Sequence, residues 1–153
     1  MDQVLLEQEL IRDEGLAHRR PDRPGRLFAY RDSAGKATIG AGRNLDDKGI
    51  SDDEAMTLLR DDIAEHMALL DRELPWWREM SEARQRVLAN MGFNLGVGPT
   101  PEQPEGKLLT FTNTLAAMQR GDYEAAANGM SASAWAKQVG IRATRLVEMM
   151  REG

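Results

Sequence analysis

The chain has 153 residues and a mass of 17.1 kDa, the size of one ordinary domain, which argues against a many-domain machine. Apolar residues make up 41% and charged residues 29%, proportions typical of a globular protein and not of a disordered, collagen-like or membrane chain. The net charge of −5 argues against a uniformly basic nucleic-acid binder. Because the chain has no cysteine, disulfides, thiolate metal sites and a cysteine nucleophile are excluded.

The first 45 residues predict a helix, a basic loop and a β hairpin. Apolar residues recur at near-helical spacing from Val4 to Ile11, and Gly15 favours the end of that helix. Residues 17–26 hold four arginines against one aspartate, a local charge of +3, with two prolines and no apolar period, so they predict an irregular loop. Residues 27–30 and 37–41 have strand composition and flank a turn-forming run, which predicts a hairpin.

The rest of the sequence is predominantly helical. Ser51 and Glu54 form a capping box that begins an amphipathic helix of about 20 residues, ending before Pro75. Trp76 and Trp77 follow and are expected to pack the carboxy-terminal part. Residues 96–106 are rich in proline and glycine and predict a loop. Further helices are expected near residues 81–95, 111–120, 122–128, 131–137 and 142–151.

These elements predict an α+β fold that is mostly α. A hairpin buries little by itself and must lie against a helix. Two lobes beside one long helix would leave a cleft between them, and clefts are where ligands usually bind. No targeting or membrane-spanning segment is evident, and two histidines, His18 and His66, are too few and too far apart for a histidine metal site. No cofactor or metal is therefore expected.

The candidate chemistry lies in three residues of the amino-terminal part. Glu14 ends the first helix, next to carbonyl groups that carry partial negative charge, which suits a proton donor. Asp32 opens the turn and Thr38 lies on the returning strand. Two carboxylates, one protonated and one ionised, are the minimum for glycoside hydrolysis. The same residues are also common in structural roles, because acids often end helices or open turns and threonine is an ordinary strand residue.

Six segments of the sequence resemble the bacteriophage lysozymes of the T-even type, in the order of that family. Two of them surround the candidate residues, IRDEGL at 11–16 and YRDSAGKATIGAG at 30–42. The others are residues 51–55, 90–96, 111–115 and 135–142. The resemblance implies a lysozyme-like two-lobed fold over residues 1–153. It has an amino-terminal lobe of about 12–55 with a small antiparallel hairpin or sheet, an interlobe helix of about 51–73, and a helical lobe of about 74–153 joined by the first helix.

The resemblance also implies a muramidase that cuts the β-1,4 bond between N-acetylmuramic acid and N-acetylglucosamine in peptidoglycan. Glu14 would be the general acid, Asp32 would orient or activate water, and Thr38 would help hold that water, with inversion at the anomeric carbon. Further residues match substrate-binding positions of the family: Phe93, Asn94, Thr114 and Arg142.

The family also implies where such an enzyme acts and with what. Peptidoglycan would be its partner, with a holin or other release partner, and neither nucleic acid nor membrane insertion would be involved. The enzyme would be a monomer, made in the host cytoplasm and acting on periplasmic or cell-wall peptidoglycan after release.

Three features depart from the family pattern. Glu14 and Asp32 are 18 positions apart, about twice the usual spacing, so residues 18–26 look like an insertion, and Asp22 within it is a rival base. Arg43 stands where the family has histidine, so any ion pair of that histidine is missing or replaced. Residues 98–106 form a longer loop, and a tolerated surface insertion is favoured there over a substrate or partner contact.

Two other classes of function stay open at this point. A non-catalytic peptidoglycan-binding or phage structural module could keep the same fold, although intact Glu14, Asp32 and Thr38 argue against it. A nucleic-acid binder using the arginine loop predicts salt-sensitive DNA binding. The loop is alternatively expected to border the cleft and attract anionic wall polymer.

Overall fold

A computed structural model describes residues 1–16 and 18–153, so Ala17, the first residue of the predicted basic loop, lies outside the described residues. The chain divides into two compact units, Met1–Thr57 and Leu58–Gly153, called here the amino-terminal and carboxy-terminal units. The structure is mostly helical with a small antiparallel sheet, which confirms the predicted α+β class. The assignment of residues 1–153 to one domain with the lobes given above stays a prediction.

The first helix, α1, spans Gln3–Glu14 and has a cap at each end. The Asp2 carboxylate accepts a hydrogen bond from the Leu5 amide at 3.1 Å, satisfying one of the free donors of the first turn. Gly15 follows Glu14 with a φ of +76°, and its amide donates to the Ile11 carbonyl at 2.9 Å. The predicted helix end at Gly15 is confirmed, and it makes Glu14 the last helical residue.

The sheet has three strands in the order β1-β2-β3, one more than the sequence predicted. They are β1 (Tyr30–Arg31), β2 (Ala37–Ile39) and β3 (Arg43–Asn44). The first strand begins at Tyr30 and not at residue 27, because the Phe28 amide donates to the His18 carbonyl in the loop and not to a strand. Thr38 pairs with Tyr30 on one side and with Asn44 on the other.

The long helix α2 spans Asp52–Glu73, close to the predicted 51–73. Its capping box forms as expected: the Ser51 hydroxyl accepts from the Glu54 amide at 3.2 Å and Glu54 accepts from the Ser51 amide at 2.8 Å. The boundary between the two units, after Thr57, falls inside this helix.

The carboxy-terminal unit continues with a short 3₁₀ turn, Pro75–Glu79, and the predicted series of helices. The helices are α3 (Glu82–Leu95), α4 (Thr112–Gln119), α5 (Tyr123–Ala132), α6 (Ala134–Val139) and α7 (Ile141–Glu152). Helix α5 ends four residues after the predicted 122–128 and α6 begins three residues after the start of the predicted 131–137, because Ser133 caps α6. Serine or aspartate caps the amino-terminal ends of α3, α5 and α6, each accepting from an amide three residues on.

The apolar core lies in this unit. Helix α2 contributes the fully buried Leu70 to this core, and α3 contributes Leu88 and Met91. Helices α4, α5 and α7 add further buried apolar residues. Trp77 is buried and Trp76 packs against the same core, which confirms their predicted role. Among the described residues, no helix has the length and apolar character that crossing a membrane requires.

The proline-rich loop docks on α2 within the same unit. Glu102 accepts two hydrogen bonds from the Arg72 guanidinium, at 3.1 and 2.9 Å, and these hold the pKa of Glu102 at about 2. The Gln103 side chain accepts from the Val97 amide at 2.6 Å and lies 3.1 Å from Nε2 of His66. The loop is therefore attached to α2 through two side-chain contacts.

Candidate active site

Glu14 lines an open cavity of about 480 Å³ in the amino-terminal unit. The lining comprises one face of α1 and the end of the TIGAG segment: Glu7, Leu10, Ile11, Glu14, Ala41 and Gly42. A Cβ atom added at Gly42 would lie 3.7 Å from Oε2 of Glu14, and Gly42 has a φ of +81°. The carboxyl group at the helix end thus lies against the segment that follows Thr38.

Asp32 holds the hairpin turn with one of its two carboxylate oxygens. Its Oδ1 accepts from the Ala34 amide at 2.9 Å and from the Lys36 amide at 2.8 Å, while its carbonyl accepts from Gly35. This is the arrangement expected when aspartate opens a type I turn with glycine at its fourth position. In the described part of the chain Oδ2 accepts no hydrogen bond, so one oxygen is anchored and the other is available to a ligand.

Thr38 lies on the central strand of the sheet and is only 3% exposed. Its hydroxyl donates to the Lys36 carbonyl at 3.0 Å. Because a hydroxyl has one proton to donate, what remains of its hydrogen-bonding capacity is that of an acceptor. Asp32 and Thr38 therefore belong to one hairpin and share Lys36 as a neighbour. The Lys36 amide donates to the Asp32 carboxylate, and the Lys36 carbonyl accepts from the Thr38 hydroxyl.

Arg43, at the position where the family has histidine, forms an ion pair within the amino-terminal unit. Its guanidinium donates to both carboxylate oxygens of Glu54, through Nη1 at 3.0 Å and also through Nη2, and to the Gly49 carbonyl at 3.2 Å. Together with the Ser51 amide, these bonds lower the pKa of Glu54 to about 2. The arginine therefore ties the start of β3 to the first turn of α2.

The rival base, Asp22, is paired inside the basic loop. Arg20 donates to both of its carboxylate oxygens, at 3.1 and 2.7 Å, and this lowers the pKa of Asp22. The guanidinium of Arg20 also lies 4.9 Å from the centre of the Phe28 ring. Two of the charges that make up the loop's net +3 are thus engaged with one another.

A second cavity, of about 490 Å³, lies in the carboxy-terminal unit and includes two of the predicted substrate-binding residues, Phe93 and Arg142. Side chains at helical spacing on α2 and α3 form most of its wall, since positions three and four apart share a helix face. The full lining is Leu59, Ile63, His66, Met67, Arg86, Ala89, Asn90, Phe93 and Arg142. Phe93 is 39% exposed there, and its ring centre is 5.2 Å from that of His66.

Arg142 is held in this cavity by Asn90. Its Nε and Nη2 both donate to Oδ1 of Asn90, at 2.9 and 2.7 Å. Nη1 has no hydrogen-bond partner among the described residues, so it can donate to a ligand. His66 is oriented from both sides, because Nδ1 donates to the Asp62 carbonyl at 2.7 Å and Nε2 faces the Gln103 amide.

The other two predicted substrate-binding residues are placed differently. The Asn94 side chain accepts a hydrogen bond from the Trp135 indole at 2.8 Å. Thr114 is 6% exposed, and a Cβ added at Gly129 would approach its hydroxyl to 2.4 Å, so that side chain faces α5. Neither residue lines the cavity of Phe93 and Arg142. Their substrate contacts stay a prediction.

Gly42 and Asn90 lie within the motifs at 30–42 and 90–96, and the sequence predicts a role for neither. In the structure Gly42 lines the same cavity as Glu14, and Asn90 orients Arg142. The only signal for Asn90 was its spacing of three residues from Phe93, which places both on one face of α3. A side-chain bond spanning 52 positions has no local sequence signature.

Comparison with known proteins supports this likeness over most of the chain. Residues 24–151 match the phage lysozyme family model, a range that includes Asp32, Thr38 and Arg142 and begins after Glu14. Over 176 residues the chain is 28% identical to the pre-baseplate central spike protein Gp5 of Enterobacteria phage T4. That comparison covers 94% of this chain and 27% of Gp5, so the chain spans about a quarter of the length of this relative. With the family model matched over most of its residues, the chain belongs to the phage lysozyme family.

Proposed function

We propose that this protein is a muramidase that hydrolyses the β-1,4 bond between N-acetylmuramic acid and N-acetylglucosamine in bacterial peptidoglycan. Membership of the phage lysozyme family supports glycoside hydrolysis as the reaction class. The observation that carries the proposal is the position of Glu14: its carboxyl group lines a cavity with Ala41 and Gly42, the end of the segment that carries Thr38.

In the proposed reaction Glu14 is the general acid. It donates its proton to the glycosidic oxygen as the bond from that oxygen to the anomeric carbon breaks. Asp32 accepts a proton from the attacking water through Oδ2, the oxygen that the turn leaves available. Water attacks the face opposite the leaving group, so the product has the inverted configuration.

Thr38 would position that water as a hydrogen-bond acceptor. Its own proton is committed to the Lys36 carbonyl, so a water bound to Thr38 would donate to it. Such a water keeps its lone pairs for attack and its second proton for Asp32. Phe93, Asn94, Thr114 and Arg142 are proposed to contact the glycan, Arg142 through the guanidinium nitrogen that Asn90 leaves available.

We further propose that the protein acts as a monomer without a cofactor, with peptidoglycan as its partner and neither nucleic acid nor membrane insertion involved. It would be made in the host cytoplasm and reach the periplasmic or cell-wall peptidoglycan through a holin or other release partner.

The experiment that tests the reaction is mass spectrometry of purified peptidoglycan after digestion. Cleavage of the proposed bond yields muropeptides with N-acetylmuramic acid at the reducing end. Products that show cleavage of a different bond would contradict the proposal. Glu14→Gln keeps the shape of the side chain and removes the proton donor, so the rate should fall about 10²- to 10⁴-fold. Asp13→Asn is the matched control, since it removes a neighbouring exposed carboxylate that pairs only with Arg12 in the described part of the chain.

A second pair of variants identifies the base. Asp32→Asn leaves an amide oxygen that can still accept from Ala34 and Lys36, so the turn should persist while most activity is lost. Asp22→Asn should keep activity, because Asp22 is paired with Arg20 inside the loop. The reverse pattern would move the base into residues 18–26.

One observation favours a different function. The relative Gp5 is by its name a central spike protein, which is consistent with a non-catalytic peptidoglycan-binding or phage structural module of the same fold. If the protein sedimented with insoluble cell wall and released no soluble muropeptide, this alternative would be supported over the muramidase.

A further inference from the structure

The inserted loop of residues 18–26 is fastened to strand β1 by an aromatic stack. The rings of His18 and Tyr30 lie 3.7 Å apart between centres and 15° from parallel. The His18 carbonyl accepts from the Phe28 amide at 3.1 Å, so backbone and side chain of His18 both contact the segment that leads into β1.

His18 takes an unfavourable backbone conformation to make this contact. Its φ is +61°, and no other non-glycine residue in the described ranges has a positive φ. A side chain in the left-handed region persists only where the surrounding contacts hold it, and such residues are concentrated at functional sites. Here the contacts that hold it are the Tyr30 ring and the Phe28 amide.

The stack lies next to the proposed catalytic hairpin. Tyr30 is the cross-strand partner of Thr38, so the two side chains occupy the same face of the sheet as direct neighbours. Asp32 follows Tyr30 by two residues along the chain. A displacement of Tyr30 would thus reach both Thr38 and Asp32 through direct neighbours.

Strand β1 is otherwise held by its pairing with β2 and by the exposed Arg31 side chain, which donates to Asp46 at 3.1 Å and to the Gly35 carbonyl at 3.2 Å. It contains two residues and, within the described ranges, pairs only with β2, at the edge of a sheet whose three strands have two or three residues each, so additional packing should stabilise it. The loop provides such packing, because the Arg20 guanidinium lies over the Phe28 ring. The loop is itself structured: Arg20 forms an ion pair with Asp22, and the backbones of Arg20 and Arg23 form an antiparallel β-bridge. Two ring contacts therefore join the loop to the segment before Asp32.

We propose that His18 is a positioning residue of the muramidase reaction: its stack on Tyr30 holds β1 in place and thereby orients the Asp32 carboxylate and the Thr38 hydroxyl. The inference rests on the proposed function. It assigns the inserted loop a role in the reaction, as a support for the hairpin that carries the base.

The central test separates the ring from the backbone. Asparagine tolerates the left-handed region well, so His18→Asn removes the ring without adding strain. With a soluble peptidoglycan oligomer as substrate, kcat should fall about three- to tenfold, the size expected for loss of one aromatic pair, while KM changes less than about twofold. Tyr30→Leu should act like His18→Asn, and Tyr30→Phe, which keeps the ring, should retain the wild-type kcat.

The double variant His18→Asn/Tyr30→Leu tests whether the two rings act together. If they do, the kcat of the double variant should be no lower than the lower of the two single-variant kcat values. Loss of kcat in proportion to the fraction unfolded, or restoration of kcat by cooling, would indicate a merely structural role and overturn the proposal.

Hydrogen exchange gives a readout that does not depend on activity. The Ala34 and Lys36 amides donate to Asp32, so they should exchange faster in His18→Asn than in the wild type, while amides of α5 should be unchanged. Unchanged exchange with kcat within twofold of wild type would reject the role of His18 and leave the proposed muramidase intact. A wild-type protein that releases no muropeptide would instead reject the proposed function, and the exchange rates would still decide whether His18 holds the hairpin.

Discussion

The two units of the molecule are stabilised in different ways. Every buried apolar residue in the described part of the chain belongs to the carboxy-terminal unit, whereas the one residue buried in the amino-terminal unit is the polar Thr38. Four leucine, isoleucine and valine residues of α1 are exposed, with Leu5 at 53%, and Leu6 is half-buried. The carboxy-terminal unit is thus held by apolar burial, while the unit with the proposed catalytic residues is held by other means.

Polar contacts hold the amino-terminal unit. Asp32 closes the hairpin turn, Asp46 accepts from the Arg31 side chain and the Ala37 amide, and Lys36 pairs with Asp47. Arg43 joins β3 to α2 through Glu54. Such contacts are directional and individually modest in net energy. They fix the orientation of carboxylates well, but the region they hold should open at a lower free energy than the core.

The glycines show the same contrast. Gly35 has a φ of +78° and open space around it, so it is required for its backbone conformation. A Cβ added at Gly98 would come within 1.9 Å of the Gln103 carbonyl oxygen, so there the absent side chain is what lets two backbone segments approach. Among the described glycines, backbone atoms lie within 3.0 Å of an added Cβ only in the carboxy-terminal unit.

The largest expected difference in stability between the two units comes from truncating a core side chain. Leu88→Ala empties a fully buried site and should lower the free energy of unfolding by about 2–5 kcal/mol. Leu5→Ala, at a site 53% exposed, should change it by less than about 0.5 kcal/mol. Urea denaturation followed by circular dichroism measures both. Equal effects would mean that α1 buries its apolar face as fully as α3.

A smaller effect is expected from the glycines. Gly98→Ala forces a backbone shift in the proline-rich loop and should cost about 1–3 kcal/mol, with faster exchange of the Val97 and Gln103 amides. Gly35→Ala should cost about 1–2 kcal/mol through its positive φ alone, with faster exchange confined to residues 32–38. If Gly98→Ala disturbed no neighbouring amide, the close approach to Gln103 would not be what requires glycine there.

The smallest effect is a dependence of stability on pH. The pKa of Glu54 is about 2 in the folded protein against a reference of 4.5, so its contribution is fully present above pH 4.5 and is lost as the pH falls towards 2. Glu54→Gln should therefore be less stable than wild type at pH 7, and the two should converge near pH 2. Thermal unfolding across this range measures the difference, and a gap that persists at pH 2 would contradict the ion-pair origin.

Glu102→Gln is the control in the other unit. Its pKa is also about 2, so the same pH window applies. The two variants should differ in place: hydrogen exchange should quicken at residues 43–54 for Glu54→Gln and at residues 97–106 for Glu102→Gln. Exchange that quickened in both regions for either variant would show that the units do not respond separately.

Local structure could largely be read from the sequence. Gly15 ended α1, Ser51 and Glu54 began α2, and the turn of Asp32 formed with the expected aspartate and glycine. Each of these depends on residues within four positions of one another, where side-chain and backbone preferences act directly. The order of short motifs likewise sufficed to indicate the phage lysozyme family, which the family match confirms.

Partnerships over longer separations were decided by the tertiary structure. The third strand, Arg43–Asn44, is too short to show a period. The ion pair of Arg43 with Glu54, at the position where the family has histidine, could not be predicted from the sequence. The contacts of Arg142 with Asn90 and of Asn94 with Trp135 join positions 52 and 41 apart. The sequence by itself determined the order of the helices and the capping residues of α1 and α2, and it named the residues proposed to carry the chemistry. Only the fold decided which atoms of those residues are already bonded and which remain available, because that depends on neighbours brought together from distant parts of the chain.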